Sequence, residues 1–151
     1  MLLVYETKFG NTKKAAETIA EGMKEGEQIE TEVLNVNDVD YSKVRDYDAI
    51  IIGSPTWGGN CTDTIKKFVD ELAGLSLNEK FYAVFDTNSG IPLLSKAVKK
   101  MEKLISKKLP SFKKILPGLP VRVKGTKGPI VEGELPKCQN FGKEIATKLQ
   151  Q

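Results

Sequence analysis

Ala49-Ile50-Ile51-Ile52-Gly53-Ser54-Pro55-Thr56-Trp57-Gly58-Gly59-Asn60 is the stretch that decides the fold. Its first five residues form a continuous apolar run, which is how a central parallel strand covered on both faces reads. The second half turns abruptly to a proline, glycines and the only tryptophan of the chain. A core residue would be badly placed there. An indole among glycines is instead positioned to stack on a flat conjugated ring, with Gly58 and Gly59 leaving the backbone free to turn. Packing of Trp57 across the sheet edge is the plainer reading.

Outward from this strand, apolar runs and helical spacing alternate. Leu2 to Tyr5 reads as a buried first strand, and Asn11 to Lys24 as a helix with Ala15, Ile19, Ala20 and Met23 inward, ending near Gly26. Ile29 to Val36 alternates imperfectly and reads as a strand nearer the edge. Asp38 to Asp46 is short enough for only a turn of helix. Thr64 to Leu72 is the next helix, Phe81 to Phe85 another buried strand, Leu93 to Leu104 a helix with a basic outer face, and Leu119 to Val123 a fifth strand. A helix from about Leu135 to Leu149 closes the chain. Strands alternating with helices imply βαβ units and right-handed crossovers. The expected fold is α/β: a doubly wound, five-stranded parallel sheet in three layers, as one domain over residues 1–151. The segment Leu109 to Pro120 exceeds this scheme and is expected to be a surface excursion.

Composition narrows the chemistry. The 151 residues suffice for a real core. Histidine is absent, which removes Ser-His-Asp and Cys-His catalysis and the commonest transition-metal ligand. Cys61 and Cys138 lie far apart, so neither a disulfide framework nor a structural zinc site is expected. No apolar run approaches the ~18 residues of a membrane span, and the opening Met1 to Tyr5 lacks a basic leader. A cytoplasmic location and no membrane partner are the expectations. Charge is segregated: residues 1–95 carry nine basic and sixteen acidic side chains, whereas Lys96 to Gly128 holds eleven basic residues and the single acid Glu102. A pI of about 8.7 would admit nucleic acid. The readings retained are a solvated helix face and docking of an acidic partner protein on Lys96–Lys127, with no nucleic acid.

In a doubly wound sheet, ligands lie beyond the carboxyl ends of the strands. Three loops therefore matter. Thr7-Lys8-Phe9-Gly10-Asn11-Thr12 leads into the first helix and brings hydroxyls, an amide and free backbone N–H groups to its N-terminus, a site for a phosphate dianion. It is neither a P-loop nor G-x-G-x-x-G. Taken alone, Asn11 as a plain helix cap and Thr7 as a turn-closer remain open. Pro55-Thr56-Trp57-Gly58-Gly59 supplies the aromatic platform. Thr87-Asn88-Ser89-Gly90, after Asp86, offers a polar, flexible rim for a heterocycle edge, or alternatively a turn with Ser89 as helix cap. Together they suit a mononucleotide with a planar ring.

Thr7-Lys8-Phe9-Gly10-Asn11-Thr12 resembles the phosphate loop of the flavodoxin family, Ser/Thr-x-Thr-Gly-x-Thr, and the likeness runs through the whole chain. Thr56-Trp57-Gly58 resembles the family's flavin-stacking loop. The resemblance implies a flavodoxin-like fold of the short-chain class, FMN as cofactor, and electron transfer between redox partners. It also implies a peptide turn at Gly58 that answers protonation of the half-reduced ring. Phe9 departs from the usual threonine, as in the flavodoxin domains of flavodiiron proteins, and Pro55 replaces a common phosphate-binding serine. No aromatic residue lies between Asp86 and Pro92, where the family often covers the outer ring face. Two other functions stay in view: an NAD(P)H or quinone oxidoreductase on the same fold, and a flavin-free interaction module.

Overall fold

The computed structural model describes residues 1–151. The run Ala49 to Gly53 lies within β3 (Ala49–Pro55), every residue of which is buried. On one side of it lie β1 (Leu2–Tyr5) and then the half-exposed edge strand β2 (Glu32–Asn35). On the other side lies β4 (Phe81–Asn88), and all these pairings are parallel. The order β2-β1-β3-β4, continued by two short strands, is one of the two common doubly wound arrangements. Two 3₁₀ turns, Val36–Asp38 and Tyr41–Asp46, take the place of a full helix between β2 and β3.

Side chains of period two sort the core into two layers. Leu3, Ile51, Ala83 and Phe85 point to one face and are covered by α1 (Asn11–Glu27) and α4 (Glu134–Leu149). Leu2, Val4, Ile50, Ile52 and Val84 point to the other face, under α2 (Asp63–Ala73) and α3 (Ala97–Lys108). The first helix runs past the expected end at Gly26 and closes at Gln28, whose N–H reaches the Lys24 carbonyl. Gly26 does not terminate it because Gly26, like Gly22, is a contact surface for α4. A Cβ on Gly22 would stand 2.0 Å from the Gln139 carbonyl oxygen, and one on Gly142 would stand 2.0 Å from that of Ile19. The two backbones touch.

Four expectations need correction. The segment Leu109–Pro120 is not a surface excursion: Leu109, Phe112 and Leu116 are buried, and Lys113–Lys114 forms β5, pairing with Phe81 and Tyr82. The fifth strand is thus split. Its second half, β6 (Leu119–Arg122), pairs with Phe85 to Asn88 further along the same neighbour. That second pairing extends β4 to Asn88, so Asp86, Thr87 and Asn88 are buried strand residues rather than a flexible loop. The basic helix also starts later than read, at Ala97, after a separate 3₁₀ turn at Pro92–Leu94.

Candidate functional site: a cleft at the carboxyl edge of the sheet

The chain leaves β1 toward β2 on one side and later returns to build β3 and β4 on the other. Loops following β1 and β3 therefore diverge and leave a crevice at the carboxyl edge. A cleft opens there, lined by residues from the ends of β1, β3, β4 and β6 and the loops after them. From the residues singled out in the sequence it draws Thr7, Lys8, Phe9, Asn11, Thr12, Pro55, Thr56, Trp57, Thr87, Asn88 and Ser89. Gly10, Gly58, Gly59 and Gly90 do not line it. Gly10 stands at the N-cap of α1 with φ +91°, and Gly90 packs against Arg122, toward whose Nε a Cβ would come within 2.6 Å.

At the cleft floor α1 begins without a side-chain cap, leaving first-turn N–H groups free for an acceptor. Thr7 closes its own loop, its hydroxyl accepting from Gly10 N at 2.9 Å. Asn11 is not a cap: its amide donates 3.0 Å to the Lys127 carbonyl and ties down the loop after β6. Thr12 and Thr87 share a hydroxyl hydrogen bond of 2.8 Å, joining the first loop to β4. The Thr62 hydroxyl donates to the Glu6 carboxylate, which links the loops after β1 and β3.

Trp57 and Asn60 are joined by a pair of backbone hydrogen bonds, 2.9 and 3.1 Å, around Gly58 and Gly59. Both glycines have positive φ, +58° and +75°, the requirement of a type I′ turn. That tight turn lifts the indole out of the core: Trp57 is 50% exposed and Phe9 is 43% exposed. The Lys8 ammonium lies 5.0 Å from the Trp57 ring centre and 5.5 Å from that of Phe9, within cation–π range of both. Lys8 is the one charged residue of the lining, and no acid contributes to it.

Behind the rim, Asp86 is fully buried. Its carboxylate accepts from Asn88 Nδ2 at 2.8 Å and from Val98 N at 3.3 Å, so it anchors α3 to β4. Burial pushes its pKa up, and these hydrogen bonds oppose the rise. Asn88 in turn accepts from Gly90 N at 2.8 Å and Ser95 Oγ at 3.0 Å, fixing the short loop between them. Ser89 caps no helix; Lys96 precedes α3 without a side-chain cap. The Thr56 hydroxyl is buried beside this group, where it faces the Asp86 carboxylate and helps hold that carboxyl's pKa down.

Val123, Gly125 and Thr126 also line the cleft and were not singled out from the sequence. The available signal was the run Gly125-Thr126-Lys127-Gly128-Pro129 directly after a strand, on the edge where ligands gather. Burial pushes the Cys61 and Cys138 thiols up, the latter to about 12 with help from the Glu134 charge, so both are poor nucleophiles.

This is the cleft of an α/β protein with an uncapped helix start at one end and an exposed aromatic platform at the other. The chain belongs to the flavodoxin family, whose model, described as Flavodoxin, matches residues 3–126. A flavodoxin of Clostridium saccharobutylicum is 34% identical over 89 residues, covering 59% of this chain and 56% of that protein. An NAD(P)H dehydrogenase (quinone) of Archaeoglobus fulgidus is 34% identical over 117 residues, covering 58% and 61%. The matches to the first three curated relatives span about half their length, 40% to 57%. In fold, a flavodoxin from the domain Archaea superposes with a TM-score of 0.83 at 24% identity, covering 99% of this chain and 98% of that one. Flavodoxins bind FMN. The free N–H groups of α1 and the raised indole fit that molecule's phosphate and ring.

Proposed function

We propose that this chain holds FMN non-covalently in the cleft and shuttles electrons between redox partners. The observation that carries the reading is Trp57, half-exposed on a two-glycine turn and facing the uncapped start of α1 across one cleft. The amides of Gly10 to Thr12 and the hydroxyls of Thr7 and Thr12 would take the phosphate, despite the loss of a hydroxyl at Phe9 and of a serine at Pro55. Trp57 would stack on the ring, Thr56, Asn88 and Ser89 would meet its polar edge, and Thr87, hydrogen-bonded to Thr12, would lie toward the phosphate end.

Bound FMN supplies one- and two-electron redox chemistry. The protein's part is electrostatic and steric. Gly58 and Gly59 tolerate either sign of φ, so their peptide can offer an N–H or a carbonyl to the ring edge as its protonation changes. Lys8, with no acid in the lining, favours negative charge on the reduced ring. For partners, charge segregation supports an acidic protein docking on the Lys96–Lys127 region.

Stepwise anaerobic reduction of the FMN-loaded protein tests the carrier reading. Two resolved one-electron midpoints, with no sustained NAD(P)H oxidation, are expected. The absence of an aromatic cover between Asp86 and Pro92 favours a second reading, an NAD(P)H or quinone oxidoreductase with substrate over the open ring face. Steady turnover of NADH or NADPH with a quinone would select it. A protein that takes up no FMN would instead be a flavin-free module.

A further inference from the structure

The basic stretch is not one surface. Lys108 pairs with Asp70 at 3.1 Å, Lys113 with Glu79 at 2.8 Å and Lys114 with Glu102 at 3.0 Å. Arg122, Lys124 and Lys127 lie on and after β6, and Lys127 Nζ sits 6.0 Å from the Phe9 ring. Three more cations of the stretch without an acidic partner lie together elsewhere. Lys100, Lys103 and Lys107 follow the i, i+3, i+7 spacing of one face of α3. With Lys66 of α2 they wall a shallow, open second cleft. Lys66 keeps only a loose contact, 3.6 Å, to a nearly fully exposed Asp63. Leu104 completes the wall, and the end nearest the cofactor cleft is Asn60.

Asn60 makes the position informative. Its backbone is doubly hydrogen-bonded to Trp57, so this lysine cleft abuts the far side of the turn that carries the ring platform. The 3₁₀ turn Pro92–Leu94 packs on the same turn: a Cβ on Gly59 would meet the Leu93 carbonyl at 3.3 Å. Leu93 is 79% exposed, and Ile91 and Leu94 are about half-exposed. An apolar rim therefore borders a cationic cleft beside the expected ring. The aliphatic stems of four lysines wall this groove; four cations around one groove repel each other until an anion arrives, and solvent-exposed leucines lose water on contact.

We propose that the cleft between α2 and α3 seats a carboxylate-bearing segment of an acidic redox protein, with Leu93 and Leu94 as its apolar contact. This rests on the FMN reading only for the electron transfer that follows docking. The binding step does not require the flavin. An acidic segment of several side chains matches the charge, and its seat brings the partner against the Trp57–Asn60 turn.

The test uses two probes on the whole chain. An octaglutamate peptide is titrated into ¹⁵N-labelled protein, with or without FMN. Amide shifts are expected to concentrate at Asn60, Lys66, Lys100, Lys103, Leu104 and Lys107. Rubredoxin, a small acidic redox protein, then serves as electron acceptor for the FMN-loaded protein under rising salt. Lys100→Glu with Lys103→Glu and Lys107→Glu is expected to slow its reduction roughly tenfold at low salt and to flatten the salt dependence. A control reversing Lys24, Lys43 and Lys148 is expected to stay within about twofold. Equal losses in the two triple variants, or peptide shifts centred on Lys124 to Lys127, would overturn the proposal. Sedimentation with phosphatidylglycerol vesicles at physiological salt, abolished by the α3 triple variant, would also overturn it and reassign the face to a membrane surface. Failure of FMN uptake would sink the carrier reading alone, because the peptide titration stands without it.

Discussion

The two faces of the sheet are held by different means. Under α1 and α4 the helices meet backbone to backbone through Gly22 and Gly142, with Ala15, Ala16, Ile19, Cys138 and Ile145 sealed between them and the strands. Under α2 and α3 the inner residues are just as buried, but the outer halves of the helices stand apart across a lysine-lined cleft. The phosphate end of the candidate site grows from the close-packed face, where the start of α1 has to be immobile. The rim proposed to meet a partner belongs to the other face, where Lys100, Lys103 and Lys107 have no acidic partner. One half of the molecule is built for position, the other for encounter.

The largest expected effect lies on the close-packed face. Gly22→Val or Gly142→Val forces a side chain into a backbone already at contact, and a loss of about 3 kcal/mol or more is expected in denaturant unfolding. A loss below about 1 kcal/mol would show that α1 and α4 can slide apart freely. Reversing Lys100, Lys103 and Lys107 should by contrast change stability by only about 0.5 kcal/mol per site or less, since all three project from the outer side of α3. Equal damage on the two faces would erase the distinction.

Within the site, Trp57→Ala is expected to weaken FMN binding by roughly 30- to 100-fold while leaving the unfolding midpoint nearly unchanged. That corresponds to about 2–3 kcal/mol of lost ring contact. Lys8→Gln should lower the second midpoint potential by on the order of tens of millivolts, the scale of about 1 kcal/mol for one screened charge. An upward shift would place Lys8 away from the reduced ring.

The smallest effect concerns Asp86. Its folded pKa is raised by burial, so between the unfolded value near 3.8 and the folded one the native state binds the extra proton. Its contribution to stability is therefore present at low pH and is lost as pH rises through that window. Asp86→Asn should remove this slope from stability-versus-pH curves, at the expense of the bond to Val98 N. An unchanged slope would assign the titration to other carboxyls.

How much of this was legible depended on whether a residue's role is local. Ala49 to Gly53 announces a buried strand by itself, and Thr7 to Thr12 announces a helix start beside a polar loop. The split fifth strand was not readable. Leu109, Phe112 and Leu116 alternate with lysines, and only the length of β4 reveals that Lys113–Lys114 and Leu119–Arg122 share one neighbour. The same pairing turned Asp86 to Asn88 from loop into strand. Gly26 read as a helix end because a glycine's packing against a distant helix leaves no local trace. The loop of Gly125 and Thr126 joins the cleft through Asn11 and Lys127, a contact spanning 116 positions.

The central claim is that Trp57 and the start of α1 hold one FMN between them. The most direct measurement is the fluorescence of Trp57, the chain's only tryptophan, during parallel titrations with FMN and with riboflavin, which lacks the phosphate. The expected result is saturable quenching by one equivalent of FMN, and binding of riboflavin at least about tenfold weaker. Unquenched fluorescence with FMN, or equal affinity for the two flavins, would contradict the account.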